Sequence, residues 1–291
     1  MERYDIAIIG TGPAGVSAAI TAKVRNKKII LFGSKKSSEK VYKAQQIQNY
    51  PGLPDVTGEE LARQYQKQLE QMEIPVTEER VSAVYAMGEY FAIQAFGNLY
   101  EASTVILAAG VVQGKTFSGE KEFLGRGVSY CATCDAMLYR GKVTAVIGYT
   151  REAERESEFL AELVEKVYYF PMYREDTEIA EEAKNIQVIR EKPLAITGTD
   201  LVEYLQTDAA EYKVDGVFIL RDSISAEQLI PGLELEDGHV KVSLQMETNI
   251  PGCFACGDVA GKPYQYVKAA GQGNVAALSA VGWLTRQRLG K

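Results

Sequence analysis

The segment Gly10-Thr-Gly12-Pro-Ala-Gly15 follows directly on an almost unbroken apolar run, Tyr4–Ile9. A run that is apolar on both faces reads as a strand buried on both sides, as in parallel sheets. Small residues follow the turn at Val16–Ala22, as in a closely packed helix, and Lys28–Phe32 reads as the next parallel strand. Together they make a βαβ unit with dinucleotide spacing, in which each glycine has its own task. Gly10 permits the tight turn, Gly12 lets backbone approach a pyrophosphate, and Gly15 lets helix and strand pack closely. The diphosphate sits at the helix N-terminus, where free N–H groups and the dipole favour negative charge. An acid often ends the second strand and holds a ribose, but here the strand ends Leu31-Phe32-Gly33-Ser34, so backbone or Ser34 must substitute.

A second unit of the same kind begins at Lys142. Val143–Ile147 is a strand ending at Gly148, Arg151–Val164 a charged helix, and Lys166–Phe170 another strand. Between the two units, Glu59–Met72 reads as a helix. Val81–Tyr85, Tyr90–Phe96 and Leu99–Glu101 read as a short antiparallel set, and Thr104–Ala108 as a buried strand leading to Ala109 and Gly110. The tail contains Pro-Gly-Cys253-Phe-Ala-Cys256-Gly257-Asp258-Val and a small-residue helix near Ala269–Arg286. The fold class expected is α/β, with two Rossmann-like domains of the three-layer ββα type, the second inserted in the first. Residues 1–113 and 237–291 form one domain and 114–236 the insertion.

With 32 basic and 39 acidic residues, a net charge of −7 and a pI near 5.1, the chain is not expected to bind nucleic acid broadly. The N-terminus enters a strand without a signal-peptide pattern, and no stretch stays apolar for 18 residues. The expectation is a cytoplasmic protein with no membrane partner.

The four cysteines form two pairs. In Ser129-Tyr-Cys131-Ala-Thr-Cys134-Asp135, two intervening residues let a helical turn bring both sulfurs within disulfide reach, and N–H groups at a helix start stabilise a thiolate. Asp135 is either the acid that protonates a leaving thiolate or a cap on the turn. A redox disulfide is the main reading; metal ligation and inert cysteines are the alternatives. Zinc needs four ligands and the chain has one histidine, His239, far along the sequence, so no metal site is expected. Cys253 and Cys256 lie in a strand-like apolar stretch, and buried structural cysteines are expected there over a second redox pair. His239, in Asp237-Gly238-His239, reads as a turn residue. Asp258 is a polar cofactor contact or a plain Asp turn.

The chain resembles the low-molecular-weight thioredoxin reductases. The resemblance is carried by Gly10-Thr-Gly12-Pro-Ala-Gly15, Asn49-Tyr-Pro51-Gly52, Gly127-Val-Ser-Tyr-Cys131-Ala-Thr-Cys134-Asp135 and Pro251–Val259. Gln265 and Ala269-Ala-Gly271-Gln-Gly273 complete it. It spans almost the whole chain, and the Ser-Tyr-Cys-Ala-Thr-Cys-Asp string is its most specific part. It implies FAD in the first domain, with Gly10, Gly12, Pro13, Ala14 and Gly15 at the pyrophosphate. Asp258, after Gly257, would lie at the ribityl region, and Gln265 with its neighbours Tyr264 and Tyr266 and the Ala269 helix at the isoalloxazine. Gly33, Ser34, Asn49, Ala109 and Gly110 complete the expected cofactor contacts. By the same resemblance a Cys131/Cys134 disulfide is reduced beside the flavin, Cys134 attacks thioredoxin, Cys131 resolves the mixed disulfide, and the enzyme is a homodimer whose inserted domain rotates.

The second glycine loop departs from the family pattern. It reads Gly148-Tyr149-Thr150-Arg151-Glu152-Ala153, and the later turn, Arg174-Glu175-Asp176, is a poor clamp for a 2′-phosphate. Residues 151–182 hold 4 basic against 11 acidic side chains, a surface expected to repel NADPH. Lys23 to Lys43 holds 8 basic residues and one acid, which suits steering of an acidic protein partner or serves solubility alone. The chain therefore resembles the ferredoxin-dependent flavin thioredoxin reductases, with ferredoxin as donor and thioredoxin as acceptor. Three alternatives stand beside that expectation: an NADPH-dependent thioredoxin reductase, a related disulfide oxidoreductase with a second bound flavin, and a non-enzymatic flavoprotein redox sensor.

Overall fold

A computed structural model describes residues 3–35, 37, 39–111, 117–180, 183–221 and 225–290; the side chains of Glu39, Thr133 and Cys134 are outside that description. The chain divides into two compact units, 1–111 with 225–291, and 112–224. In the first, β1 (Tyr4–Ile9) runs through the glycine turn into α1 (Pro13–Val24) and back into β2 (Ile29–Phe32). Then come α2 (Glu39–Tyr42), α3 (Gly58–Gln71), β3 (Val76–Thr77), β4 (Val81–Ala86), β5 (Phe91–Ala95) and β6 (Asn98–Leu107). Leu99–Glu101 and Thr104–Ala108, expected as separate strands, are one strand. The lower half of β6 pairs antiparallel with β5 and its upper half parallel with β1, so a single strand joins the two parts of the sheet. The helix α3 starts at Thr57, whose hydroxyl accepts the Glu60 N–H while Glu60 accepts the Thr57 N–H, a reciprocal cap.

The second unit contains β7 (Val128–Ser129), α4 (Ala132–Asp135), β8 (Val143–Gly148), α5 (Glu152–Ala161), β9 (Lys166–Pro171) and β10 (Ile186–Val188). A meander, β11 (Pro193–Gly198), β12 (Val202–Thr207) and β13 (Glu211–Lys213), then leads to β14 (Gly216–Leu220). Its parallel sheet has the order β10-β9-β8-β14-β7, so strand order reverses between β8 and β14. Open α/β sheets form their ligand crevice at such a reversal, beyond the carboxyl ends of the strands.

The chain returns through α6 (Ala226–Leu229), β15 (Leu235–Glu236), β16 (His239–Val240), β17 (Cys253–Ala255) and the long α7 (Tyr266–Arg288). Residues 225–236, expected in the insertion, cluster with the first unit, where α6 packs against β4. β17 pairs parallel with β6. α7 lies against α1 so closely that a Cβ on Gly273 would sit 2.0 Å from the Ala14 carbonyl oxygen. Ala14, Ala18, Ala22, Ala276, Ala277 and Ala280 are buried in the same cluster. Small side chains let two helices approach and bury backbone against backbone.

Candidate active site

The glycine turn at β1–α1 is built to hold backbone against a ligand. Gly10 has φ +116°, and a Cβ there would lie 2.3 Å from the Ala108 carbonyl oxygen at the end of β6. A Cβ on Gly15 would lie 1.8 Å from the Gly10 carbonyl oxygen, so the two glycines require one another. Gly12 caps α1 in extended conformation, Pro13 follows, and no side chain caps the helix. The first N–H groups of α1 are thus left by the chain's own side chains, as a diphosphate needs. The Thr11 hydroxyl donates to the Ser34 carbonyl at 2.9 Å, and that of Ser37 donates to the Thr11 carbonyl at 2.9 Å. These bonds fix the turn to the end of β2, where Gly33 and Ser34 stand.

Other expected cofactor residues gather in the same unit. Asn49 Nδ2 donates to Gln265 Oε1 at 2.7 Å, and the Tyr266 hydroxyl donates to the Lys40 carbonyl at 3.1 Å. Gln265 is the N-cap of α7 and also makes no side-chain cap. Lys40 Nζ lies 3.9 Å from Asp258 Oδ2, and Lys268 Nζ donates to the carbonyls of Gly257 (3.0 Å) and Gly261 (2.6 Å), clamping the turn that carries Asp258. Burial holds the Lys268 amine below the usual lysine range, against the pull of Asp258. Tyr264 meets His239 Nε2 at 2.6 Å, so the lone histidine is partnered inside β16 rather than standing in a simple turn. Two helix N-termini without side-chain caps and a turn that only glycine can form fit a flavin dinucleotide. The pairing of Lys40 with Asp258, 218 positions away, was not legible in the sequence.

The redox turn lies in the second unit. α4 begins after Cys131, which is disulfide-bonded and nearly buried; the Cys134 side chain lies outside the described residues. The Cys131 N–H donates to Ser129 Oγ at 3.1 Å, and that hydroxyl donates to Asp135 Oδ2 at 2.7 Å. Asp135 is therefore anchored at the turn. The Ala132 N–H donates to Glu156 Oε2 at 3.2 Å. Cys253 and Cys256 are free, fully buried thiols in the first unit, each pushed up to about 12 by burial. They lack the thiolate that exchange chemistry needs.

At the reversal between β8 and β14, described side chains meet one another. Arg221, immediately after β14, lies 5.4 Å from the ring centre of Tyr149, immediately after β8, and 5.6 Å from that of Phe117. Its guanidinium forms two bonds to Glu120, 2.5 and 2.8 Å long, and Glu120 also accepts the Tyr130 hydroxyl (3.0 Å) and the Phe117 N–H (2.8 Å). Glu120 is 1% exposed. The turn itself differs from the first: where Gly12 is extended, Arg151 at the same point before α5 is helical, φ −65° and ψ −26°. Arg151 pairs with Glu178 and donates to the Asp176 carbonyl at 3.3 Å, drawing residues 176–178 over the start of α5.

Of the acidic side chains counted in this region, Glu152, Glu162, Glu165, Glu175, Asp176 and Glu178 are exposed. Glu154 and Glu156 are buried. Glu154 accepts the Tyr173 hydroxyl and the Glu178 N–H (2.8 Å), and Glu158 accepts the Ala180 N–H at 2.7 Å. These carboxylates tie the 173–180 segment down where a 2′-phosphate clamp was sought. The basic run also departs from expectation. Lys23 in the last turn of α1, with Arg25, Lys27 and Lys28 between α1 and β2, lies at the opposite end of β2 from Lys35, Lys40 and Lys43. Lys36 lies outside the described residues.

The family model for pyridine nucleotide-disulphide oxidoreductases matches residues 4–273. The chain belongs to that family. Within it, the chain is 33% identical to the thioredoxin reductase of Aquifex aeolicus, over 98% of this chain and 94% of that one. Two crystal structures of a ferredoxin-flavin thioredoxin reductase from Clostridium acetobutylicum are more similar. One is 51% identical with a TM-score of 0.89, covering 99% of this chain and 100% of that chain. The other is 50% identical with a TM-score of 0.94, covering 98% and 99%. The protein is an oxidoreductase of the flavin-dependent thioredoxin reductase group. As a pyridine nucleotide-disulphide oxidoreductase it keeps the first glycine turn intact and sets the Arg221–Glu120 pair beside Tyr149 at the second. Among the described residues no helix is long and apolar enough to cross a membrane.

Proposed function

We propose that this protein reduces thioredoxin with electrons from reduced ferredoxin, by way of FAD in the first unit and a Cys131/Cys134 disulfide in the second. The observation that carries this over an NADPH-dependent reaction is the Arg221–Glu120 pair packed on Tyr149 where a nicotinamide dinucleotide would enter. FAD, when bound, accepts electrons singly and hands them on as a pair. Gly10, Gly12, Pro13, Ala14 and Gly15 would present backbone to its diphosphate, Gly33 and Ser34 would hold its ribose, and Ala109, Gly110, Gly257, Asp258, Asn49, Tyr264, Gln265, Tyr266 and Ala269 would make the remaining contacts. Lys35, paired with Glu78, and Lys40, paired with Asp258, stand with Lys43 on the glycine-turn side of the sheet, the basic group that an acidic ferredoxin would meet. The enzyme works as a cytoplasmic homodimer.

In the reduced pair, the Cys134 thiolate attacks the thioredoxin disulfide. That S–S bond breaks, a mixed disulfide forms, and the thioredoxin thiolate released takes up the proton that Cys134 gave up, relayed by the Asp135 carboxylate. Cys131 then attacks the Cys134 sulfur, restoring the disulfide and releasing the second thioredoxin thiol with the proton that Cys131 gives up. Two electrons and two protons pass to thioredoxin.

Anaerobic mixing tests the donor. Reduced ferredoxin bleaches the flavin band, at a rate that falls as salt is raised, while NADPH and NADH leave it unchanged over the same time. Rapid bleaching by NADPH overturns the proposal. Cys134→Ser removes thioredoxin reduction down to the rate without enzyme while ferredoxin still bleaches the flavin; retained turnover in that variant excludes the cysteine route.

A further inference from the structure

The two N–H groups at the head of the redox turn are both occupied. That of Cys131 is taken by Ser129 Oγ, itself fixed on Asp135, and that of Ala132 by Glu156 Oε2. In a Cys-x-x-Cys turn these donors ordinarily stabilise a thiolate. Here a carboxylate from another element takes one of them. Glu156 is 6% exposed and sits in the middle of α5, which packs against α4. Its position follows from chain geometry. α5 follows β8 with Ala153, Ser157 and Leu160 buried, and Glu156 falls on the same inward side. A buried carboxylate costs free energy unless it is hydrogen-bonded, so its placement against the redox turn calls for a role.

We propose that Glu156, through its bond to the Ala132 N–H, is a positioning residue that disfavours the thiolate at Cys131. The proposal rests on the dithiol chemistry above. Two carboxylates bear on the turn among the described side chains, Asp135 from α4 itself and Glu156 from α5. Tyr139, in the turn that follows, feels Asp135, and burial raises its phenol, so it stays neutral. Negative charge near Cys131 keeps its proton on until the mixed disulfide has formed. The Cys131 thiol then gives its proton to the departing thioredoxin sulfur as the new Cys131–Cys134 bond forms and the intermolecular bond breaks, with no net change in electrons within the step.

The test is the pH dependence of Cys131 alkylation by iodoacetamide in the full-length, FAD-loaded Cys134→Ser protein. Cys253 and Cys256 are silent, being buried and protonated. Added to this background, Glu156→Gln keeps an oxygen to accept the Ala132 N–H and removes the charge. The midpoint of the alkylation profile moves down by about one pH unit, as expected for loss of a like charge within a few ångströms. The rate at pH 7 rises about threefold, since tenfold more thiolate is partly offset by its lower nucleophilicity. An unmoved midpoint overturns the proposal. If Glu156→Gln does not fold, Glu156→Asp, which keeps the charge but draws it back by one methylene, moves the midpoint down by a smaller amount, and an unmoved midpoint overturns the proposal. No turnover, ferredoxin or thioredoxin enters this measurement. Failure of the donor assay therefore counts against the proposed function, and an unmoved midpoint counts against the role of Glu156.

Discussion

Replacing Arg221 by alanine lowers the stability of the second unit by about 3–5 kcal/mol, the usual cost of stranding one member of a buried ion pair. The partner left behind is Glu120, 1% exposed, whose carboxylate accepts from Arg221, Tyr130 and the Phe117 N–H. A midpoint of thermal unfolding lower by roughly 10 °C is the expected result. Glu120→Met with Arg221→Met removes both charges and regains most of the loss, because apolar groups of similar volume avoid the desolvation penalty. A loss near zero in Arg221→Ala means that water solvates Glu120 and that the crevice is open.

The pair also sets an acid limit. Burial alone would raise the Glu120 pKa, but the bonds from Arg221, the Phe117 N–H and Tyr130, with the guanidinium charge, outweigh it and hold the carboxyl below its ordinary range. A carboxyl depressed in the folded state stabilises the fold at pH above its unfolded value of about 4.3. That contribution drains away as pH falls through the lower, folded value. Arg221→Ala lacks this favourable step, so the stability gap between variant and parent narrows in acid. A gap that stays constant through that window contradicts an ionised Glu120.

Gly15→Ala yields protein that purifies with little flavin. The added Cβ would sit 1.8 Å from the Gly10 carbonyl oxygen and 2.8 Å from its carbon, both backbone atoms that cannot rotate away. The turn must open, carrying Gly12 and the first N–H groups of α1 out of register with a diphosphate. Overpacking of this kind costs about 1–3 kcal/mol, which lowers flavin affinity by about 5- to 150-fold. Gly282→Ala in α7, where the nearest atom is the end of the flexible Arg286 side chain at 3.6 Å, is the control and retains its flavin. Full flavin content in Gly15→Ala, read as absorbance per chain, excludes this turn as the cofactor cradle.

Periodicity and turn chemistry decide local matters, and those were legible in the residues. Tyr4–Ile9 could only be a strand buried on both faces, and Gly10 to Gly15 could only be a tight turn opening a helix. Cys131 and Cys134 had the spacing of a single helical turn, and α4 begins directly after Cys131. Gly148 announced a second crossover, and the loop Gly148–Ala153 already departed from the dinucleotide pattern. What stands there instead was not legible. Arg221 and Glu120 are separated by 101 positions, and each reads alone as an ordinary charged residue. Glu154 and Glu156 look like a solvated helix face until the 173–180 segment and the redox turn are folded onto them. A charge count sums side chains without regard to where they point, whereas burial and hydrogen bonding depend on which elements the sheet brings together. The chain's own order determined the elements and the chemistry they carry. Only packing decided that carboxylates and an arginine would stand at the reversal between β8 and β14 and its surroundings, because only in three dimensions do those charges find the partners that make their burial affordable.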